Sequence, residues 1–146
     1  MITYKTSRLD KLPEETLKKL SGLTFRNNGV MYNHIEIALN RLKYGETPKD
    51  YEEWLVVAYD GKISVGWSMS LSIYPDQNKK LVSFIGVFVR KEYRRKGIGT
   101  HLVEKLKSFL KTKNVNRLVV SPHNKISKDF YNSLGAKEGE VDFTIG

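Results

Sequence analysis

The sequence contains no cysteine, which excludes disulfide bonds and thiolate chemistry and is compatible with a reducing compartment. No window approaches the roughly 20 apolar residues of a membrane-spanning helix. The N-terminal segment "MITYKTSRLDKLPEE" lacks the apolar core of a secretory signal. The histidines, His34, His101 and His123, are scattered along the chain, so we expect no metal site. Together these absences predict a cytoplasmic protein.

Acidic residues are fewer than basic ones, 16 against 25, and the formal net charge is +9. The surplus is local, because residues 90–128 contain twelve Lys or Arg residues against only Glu92 and Glu104. The rest of the chain is nearly balanced, with thirteen basic and fourteen acidic residues. The positive electrostatic field of such a segment attracts an anionic partner, either a phosphorylated small molecule or a nucleic acid.

The hydrophobic pattern predicts a single α/β domain over residues 1–146, with the order β-α-α-β-β-β-α-β-α-β. Pro13 marks the start of a first helix that should end near Gly22. Helical spacing of apolar residues from Met31 predicts a second helix, which Gly45 should close.

Two β-rich runs flank Asp60-Gly61, a pair that predicts a hairpin with a type I′ turn. The run "LVSFIGVFV", residues 81–89, is apolar on both faces and predicts a buried central strand. Gly86 inside this run indicates a bulge or a close approach by another backbone. Two later helices should each bury one apolar stripe, formed by Ile98, Leu102, Leu106, Phe109 and Leu110 in the first and by Ile126, Phe130 and Leu134 in the second.

The stretch "RKEYRRKGIGTHL", residues 90–102, joins the buried strand to the first of these helices. The first-turn N–H groups of a helix have no partner within it, and the helix dipole adds partial positive charge. Glycine allows an anion to approach the backbone, so this loop could hold a phosphate. The common phosphate patterns G-x-x-x-x-G-K-[ST] and G-x-G-x-x-G are absent, and an ordinary turn remains the alternative.

The longer string "VFVRKEYRRKGIG" resembles the acetyl-CoA motif of the GNAT N-acetyltransferase family, [QR]-x-x-G-x-[GA], as Arg94-x-x-Gly97-x-Gly99. Downstream, "NKISKDFYNSLGA" is similar to the family's second signature, with Asn124 and the Phe130-Tyr131 pair. The resemblance covers essentially the whole chain. It implies the GNAT fold, which has a central mixed, mostly antiparallel β-sheet flanked by about four helices, and it implies acetyl-CoA as cosubstrate.

The resemblance also implies roles for single residues. Backbone groups of Val87, Phe88 and Val89 would pair with the pantetheine arm of CoA, and Asn124 would hydrogen-bond to that arm. Tyr131 would lie near the thioester sulfur. The pyrophosphate would be held by the loop and helix start, which comprise Arg94, Arg95, Lys96, Gly97, Ile98, Gly99 and Thr100. Two residues depart from the family pattern, since Lys91 stands where many members have Pro and Arg95 where many have Gly.

The implied reaction is direct attack of an amine on the acetyl thioester. Tyr131 is a candidate acid toward the leaving thiolate, with a simple hydrogen-bond donor as the alternative role. The N–H groups of Val87 or Val89 are candidate oxyanion donors.

Some members carry a glutamate base where this chain has Ser83, so we consider His123 as an alternative base. Two further residues, His34 and Glu36, could border the acceptor site.

Three readings stay open on the sequence alone. The first is an N-acetyltransferase whose amine acceptor is a small molecule, a protein or an aminoacyl-tRNA. The second is a non-catalytic acyl-CoA-binding module. The third is a basic face that chiefly binds RNA, with an ordinary turn at the glycines. A toxin-like version of the first reading would acetylate aminoacyl-tRNA and use the basic surface. A homodimer is a further alternative, because a partner chain could supply a last strand.

Overall fold

The computed structural model describes residues 1–24, 29–45, 53–121, 125–138 and 143–145. Two 3-10 turns, Leu9–Lys11 and Lys91–Tyr93, accompany the regular elements. The strands are β1 (Ile2–Arg8), β2 (Trp54–Asp60), β3 (Ile63–Pro75), β4 (Leu81–Val89), β5 (Val115–Val120), β6 (Lys137–Glu138) and β7 (Phe143–Ile145). The helices are α1 (Glu14–Thr24), α2 (Gly29–Tyr44), α3 (Ile98–Lys111) and α4 (Lys125–Ser133).

The strands form one sheet in the order β1-β2-β3-β4-β5-β7-β6. Only the β4–β5 pair is parallel among the described strands, and the other neighbours are antiparallel. β4 lies at the centre of the sheet, which explains why "LVSFIGVFV" is apolar on both faces. The predicted fold class, a mixed and mostly antiparallel sheet with four helices, is confirmed.

A hydrophobic cluster covers each face of the sheet. On one face, α3 packs its stripe of Ile98, Leu102, Leu106 and Leu110 against buried sheet residues, and Tyr131 of α4 joins the same cluster. On the other face, Leu17 and Leu20 of α1 and Ile35 of α2 pack with Trp67, Met69 and Phe88. The sheet is therefore the middle of three layers.

The turn between β2 and β3 differs from the predicted one. Asp60 pairs with Ile63, so the two loop residues are Gly61 and Lys62 rather than Asp60 and Gly61. A type I′ turn needs positive φ at both central residues. Of these two, only Gly61 has it, at +60°. The type I′ prediction is wrong, although the hairpin itself is confirmed.

Two glycine predictions also need correction. Gly22 lies inside α1, which continues to Thr24, where the Oγ1 hydroxyl donates to the carbonyl of Leu20 at 2.9 Å. Gly86 pairs in regular register with Met69, and the irregularity of the β3–β4 pair falls on β3 instead, between Ser70 and Ser72. The bulge therefore belongs to the neighbouring strand.

The last helix and strands agree with the sequence in part. Phe130 and Leu134 pack on the core, but Ile126 is 76% exposed, so its predicted inward position is wrong. Gly135, at φ +84°, follows the end of α4. The last strand of the predicted element order corresponds to β7, and residues 139–142 lie outside the described residues.

Candidate functional site

A gap opens between β4 and β5 near the middle of the sheet. Their parallel pairing runs from Leu81↔Val115 to Phe84↔Val119 and then stops. β4 continues to Val89, whereas β5 ends at Val120. Within the described strands, residues 85–89 therefore have no strand partner on the β5 side.

The backbone direction of β4 decides which groups face the gap. The N–H of Arg90 donates to the carbonyl of Val65, on β3, at 2.8 Å. Since successive residues of a strand turn their backbone groups to opposite sides, Phe88 faces β3 as well, and Val87 and Val89 face the gap. The Val89 carbonyl there accepts a hydrogen bond from Nε of Arg94 at 2.9 Å.

The loop between β4 and α3, residues 90–97, is called here the β4–α3 loop. It contains the 3-10 turn, in which the Tyr93 N–H donates to Arg90 O and the Arg94 N–H to Lys91 O. Arg95 then adopts φ +63°, a left-handed conformation that costs a non-glycine residue about 1–2 kcal/mol. Glycine would adopt it without that strain.

The N–H groups of residues 95–100 point out of the start of α3. Over the ranges that the structure describes, none of the six donates to a backbone carbonyl, and the first bond of the helix is from His101 N to Gly97 O at 3.1 Å. Lys91, Arg94, Arg95 and Lys96 surround them with exposed positive side chains. Unsatisfied donors, the helix dipole and mobile cations together favour a bound anion.

The two motif glycines, Gly97 and Gly99, lack a side chain for different structural reasons. Gly97 has φ +80°, and a Cβ there would meet none of the described atoms within 4 Å, so its role is conformational. A Cβ on Gly99 would lie 3.1 Å from two ring carbons of Phe130 and 3.7 Å from Cγ2 of Val89. Gly99 is thus the point at which α3, α4 and the end of β4 meet.

Tyr131 follows Phe130 on α4, with the two ring centroids 5.2 Å apart. Its side chain is buried, with the residue 6% exposed. Burial raises the pKa of Tyr131 to about 12. The phenol is therefore protonated throughout the physiological range, and it can donate a hydrogen bond but does not ionise readily.

Ser83 stands where some family members carry a glutamate base, and His34 and Glu36 are the residues predicted to border the acceptor site. Ser83 is fully buried, and its Oγ lies 3.1 Å from Oγ of Ser70. His34 Nδ1 lies 2.6 Å from a carboxylate oxygen of Glu53, and Glu36 accepts a hydrogen bond from Ser21. These contacts tie α2 to its neighbours. The candidate base His123 and the predicted pantetheine partner Asn124 lie outside the described residues.

The basic surplus is spread more widely than the sequence suggested. Arg90 and the four cations named above belong to the β4–α3 loop, but Lys111 and Lys113 lie at the opposite end of α3. A 14-residue helix is about 20 Å long. Only part of the surplus can therefore contact a ligand held at the loop.

Sequence reasoning missed two contacts that hold this site together. One is the packing of Phe130 on Gly99, and the other is a hydrogen bond from the Tyr93 hydroxyl to Oδ2 of Asp60 at 2.8 Å. Both join residues more than 30 positions apart, which periodicity along the chain does not reveal. The residues themselves were visible, as a motif glycine, an inward phenylalanine and a hairpin aspartate.

Comparison with protein families matches residues 18–136 to the Acetyltransferase (GNAT) family. A thialysine N-epsilon-acetyltransferase of Sus scrofa is 30% identical over 80 residues, which are 53% of this chain and 47% of that enzyme. The chain thus matches about half the length of this curated relative.

Solved structures agree on the fold. The NatC complex bound to Gag peptide and CoA contains a chain that aligns with a TM-score of 0.74 at 18% identity, over 99% of this chain and 97% of that one. An aminoglycoside N-acetyltransferase in complex with CoA aligns with a TM-score of 0.71 at 19% identity, over 96% of this chain and 90% of that one.

The cleft, the basic loop and the helix start thus belong to an acetyltransferase fold, and the chain is a member of the GNAT family. This family is one of acetyltransferases, and both solved neighbours contain CoA. Over the described ranges, no helix is long and apolar enough to span a bilayer. The same ranges hold no group of three or more side chains suited to a metal ion.

Proposed function

We propose that residues 1–146 form one N-acetyltransferase domain that transfers the acetyl group of acetyl-CoA to a primary amine by direct attack. The observation that carries this proposal is the gap between β4 and β5, which opens beside the start of α3 and its unsatisfied N–H groups. An extended pantetheine arm in the gap would act as an added strand, and its pyrophosphate would reach the helix start.

Within this proposal, the backbone contacts to pantetheine come from Val87 and Val89. Phe88 lies between them, but its backbone faces β3 and its side chain is buried on the α1–α2 face. The N–H groups of residues 95–100 hold the pyrophosphate. Arg94 braces the loop through the Val89 carbonyl in the ligand-free arrangement, and Asn124 remains a predicted partner of pantetheine.

In the reaction, the amine nitrogen attacks the thioester carbonyl, a C–N bond forms, and the C–S bond breaks with its electrons on sulfur. By analogy with cysteine, the thiolate has a pKa of about 8.5. Burial holds the pKa of Tyr131 well above that of the thiolate, so transfer of its proton to the thiolate would be uphill. A hydrogen bond donated by Tyr131 to the sulfur needs no such step, and we favour this role.

Removal of the amine proton is the step for which the described residues offer no clear base. Ser83 is not a base at neutral pH and is buried beneath α3, where Ser68 also donates to the carbonyl of Leu102. An alkylamine with a pKa of about 10.4 is almost entirely protonated at pH 7. We therefore expect the rate to rise with pH above neutrality, and His123 stays a predicted base.

The acceptor is proposed only as a class. The curated relative is a thialysine N-epsilon-acetyltransferase. Of the two solved neighbours, one is a chain of the NatC complex bound to a Gag peptide, and the other is an aminoglycoside N-acetyltransferase. The names of all three are consistent with an amine acceptor. This shared chemistry supports a primary amine without selecting among a free amino acid, a polyamine and a protein N-terminus.

The proposal is tested by release of CoA thiol from acetyl-CoA in the presence of separate acceptor pools. The pools are thialysine and lysine, polyamines, peptides with a free N-terminus, and aminoacyl-tRNA. Wild type is run beside Tyr131→Phe, with Tyr74→Phe as the matched control, because Tyr74 is an exposed tyrosine of β3. We expect one pool to react and Tyr131→Phe to lower kcat about 10- to 100-fold.

Binding of acetyl-CoA without turnover in any pool would favour the non-catalytic acyl-CoA-binding module. Reaction with aminoacyl-tRNA alone would favour the toxin-like alternative. Absence of acetyl-CoA binding would reject the proposed cofactor site altogether.

A further inference from the structure

One side-chain hydrogen bond ties the β4–α3 loop to a distant hairpin. Tyr93, the last residue of the 3-10 turn, donates its hydroxyl to Oδ2 of Asp60 at 2.8 Å. Asp60 ends β2, and its pairing with Ile63 closes the β2–β3 hairpin. The bond therefore joins segments that are 33 residues apart in the sequence.

Other contacts place Tyr93 at the centre of the loop. Its ring packs partly against the cluster beneath α3, and Nζ of Lys96 lies 5.4 Å from the ring centroid. The base of the loop is held separately, by the Arg90 N–H bond to Val65 O. Tyr93 thus connects the hairpin, the core and the residue that precedes Gly97.

The conformation of the loop explains why it needs such a support. Arg95, two residues after Tyr93, is held at φ +63°, which a non-glycine residue adopts only when surrounding contacts impose it. The Tyr93–Asp60 bond ties this turn to the β2–β3 hairpin, and the Arg94 bond to the Val89 carbonyl ties it to β4. Loss of the Tyr93 bond removes one of these two supports and lets the loop relax part of the strain at Arg95.

We propose that Tyr93 and Asp60 are positioning residues that hold the β4–α3 loop in the shape that receives the CoA pyrophosphate, an inference that rests on the function proposed above. They act through the N–H groups of residues 95–100. A loop that already has its bound shape loses less conformational entropy when the ligand arrives. If the bond is lost, the affinity falls in proportion to the fraction of molecules that keep the competent shape.

Four variants and one double variant test this role. Tyr93→Phe removes only the hydroxyl, Asp60→Ala removes the acceptor, and Asp60→Asn keeps an oxygen that can accept. Tyr74→Phe is the matched control, because Tyr74 is an exposed tyrosine of β3 that pairs with Val82, at the end of β4 opposite the loop. The readouts are the Kd for CoA by calorimetry and amide hydrogen exchange of residues 93 and 94, whose N–H groups donate within the 3-10 turn, in the ligand-free protein.

We expect Tyr93→Phe and Asp60→Ala each to weaken CoA binding by about three- to tenfold and to speed exchange in the loop. Combining them should add little, because both break the same bond. Asp60→Asn should retain most of the affinity, and Tyr74→Phe should change neither readout.

The proposal is wrong if Tyr93→Phe lowers the thermal midpoint but leaves CoA affinity and loop exchange unchanged, since the bond would then be merely structural. The exchange measurement needs no ligand, so it separates this inference from the proposed function. If the wild type binds no CoA but Tyr93→Phe still speeds exchange in the loop, then the proposed function and the role in pyrophosphate binding are both wrong. The conclusion that Tyr93 supports the loop would remain correct.

Discussion

Gly97 and Gly99 lie two residues apart, yet they lack a side chain for different reasons, and alanine at each position tests that difference. A Cβ on Gly99 would lie 3.1 Å from Cε1 and Cζ of Phe130, so the ring would have to move by some tenths of an ångström. A Cβ on Gly97 would meet none of the described atoms within 4 Å, but the φ of +80° strains any L side chain.

The magnitudes follow from these two causes. Overpacking costs about 1–3 kcal/mol, and alanine recovers up to about 1 kcal/mol because Gly99 lies in the first turn of α3. We expect Gly99→Ala to lower the free energy of unfolding by about 1 kcal/mol. Gly97→Ala should lower it by about 1–2 kcal/mol through left-handed strain. The single variants therefore look alike, and a second substitution has to separate them.

Phe130→Leu supplies that separation, because it removes the ring atoms that the new Cβ would meet. In the Phe130→Leu background, urea unfolding should show Gly99→Ala to be neutral or slightly stabilising, a coupling of about 1 kcal/mol. Gly97→Ala should cost the same in both backgrounds. If Gly99→Ala is equally destabilising with and without the ring, the packing explanation for Gly99 is refuted.

Three further predictions follow from the site. Burial raises the pKa of Tyr131 to about 12 from its usual 10.0, so the unfolded chain loses this proton first. Its contribution to stability is complete below pH 10 and is lost as the pH rises from 10 to 12, by about 2–3 kcal/mol in all. Urea titrations at pH 9 and 11 should record about half of this fall in the wild type and none of it in Tyr131→Phe. Because Arg95 has φ +63°, the Arg95→Gly variant should be more stable than Arg95→Ala, by a few tenths to about 1 kcal/mol in the free energy of unfolding. Urea unfolding measures this difference, and equal stabilities would show that the backbone at position 95 is not strained. Ser83→Glu should unfold much of the protein in circular dichroism rather than supply a base, because the position is 0% exposed and leaves the carboxylate unpaired; a folded variant with raised activity would contradict this.

The fold was predictable from the sequence where a local pattern decided the outcome. The continuous apolar run at residues 81–89 predicted a central strand, because a strand buried on both faces has apolar residues at every position. The stripe from Ile98 to Leu110 predicted α3, because a helix buried on one face has apolar residues every three to four positions. The hairpin turn was misplaced by one residue, since the register depends on the bulge between Ala58 and Tyr59 and on cross-strand pairing. Ile126 fitted the helical stripe of α4 but lies in its first turn, beyond the reach of the core.

For the candidate site, the sequence predicted the β4–α3 loop but not the tertiary contacts that hold this loop in place. Arg94, Gly97 and Gly99 form a motif whose spacing is set by a tight turn and a helix start, both local events. The end of β4–β5 pairing after Phe84 depends on how two strands diverge in space, and no residue in either strand marks it. The Tyr93–Asp60 bond and the Phe130–Gly99 contact likewise depend on tertiary packing.

The end of β4–β5 pairing also places an open strand edge in the interior of the sheet rather than at its border. Open edges are where strands of other chains add, and they promote aggregation. An occupant of the gap closes this edge and stabilises the folded chain by mass action, by about 2.7 kcal/mol at a concentration one hundredfold above its Kd. The amount of intact protein in a cell should then follow the supply of that small molecule, so that scarcity of the metabolite shortens the lifetime of the protein.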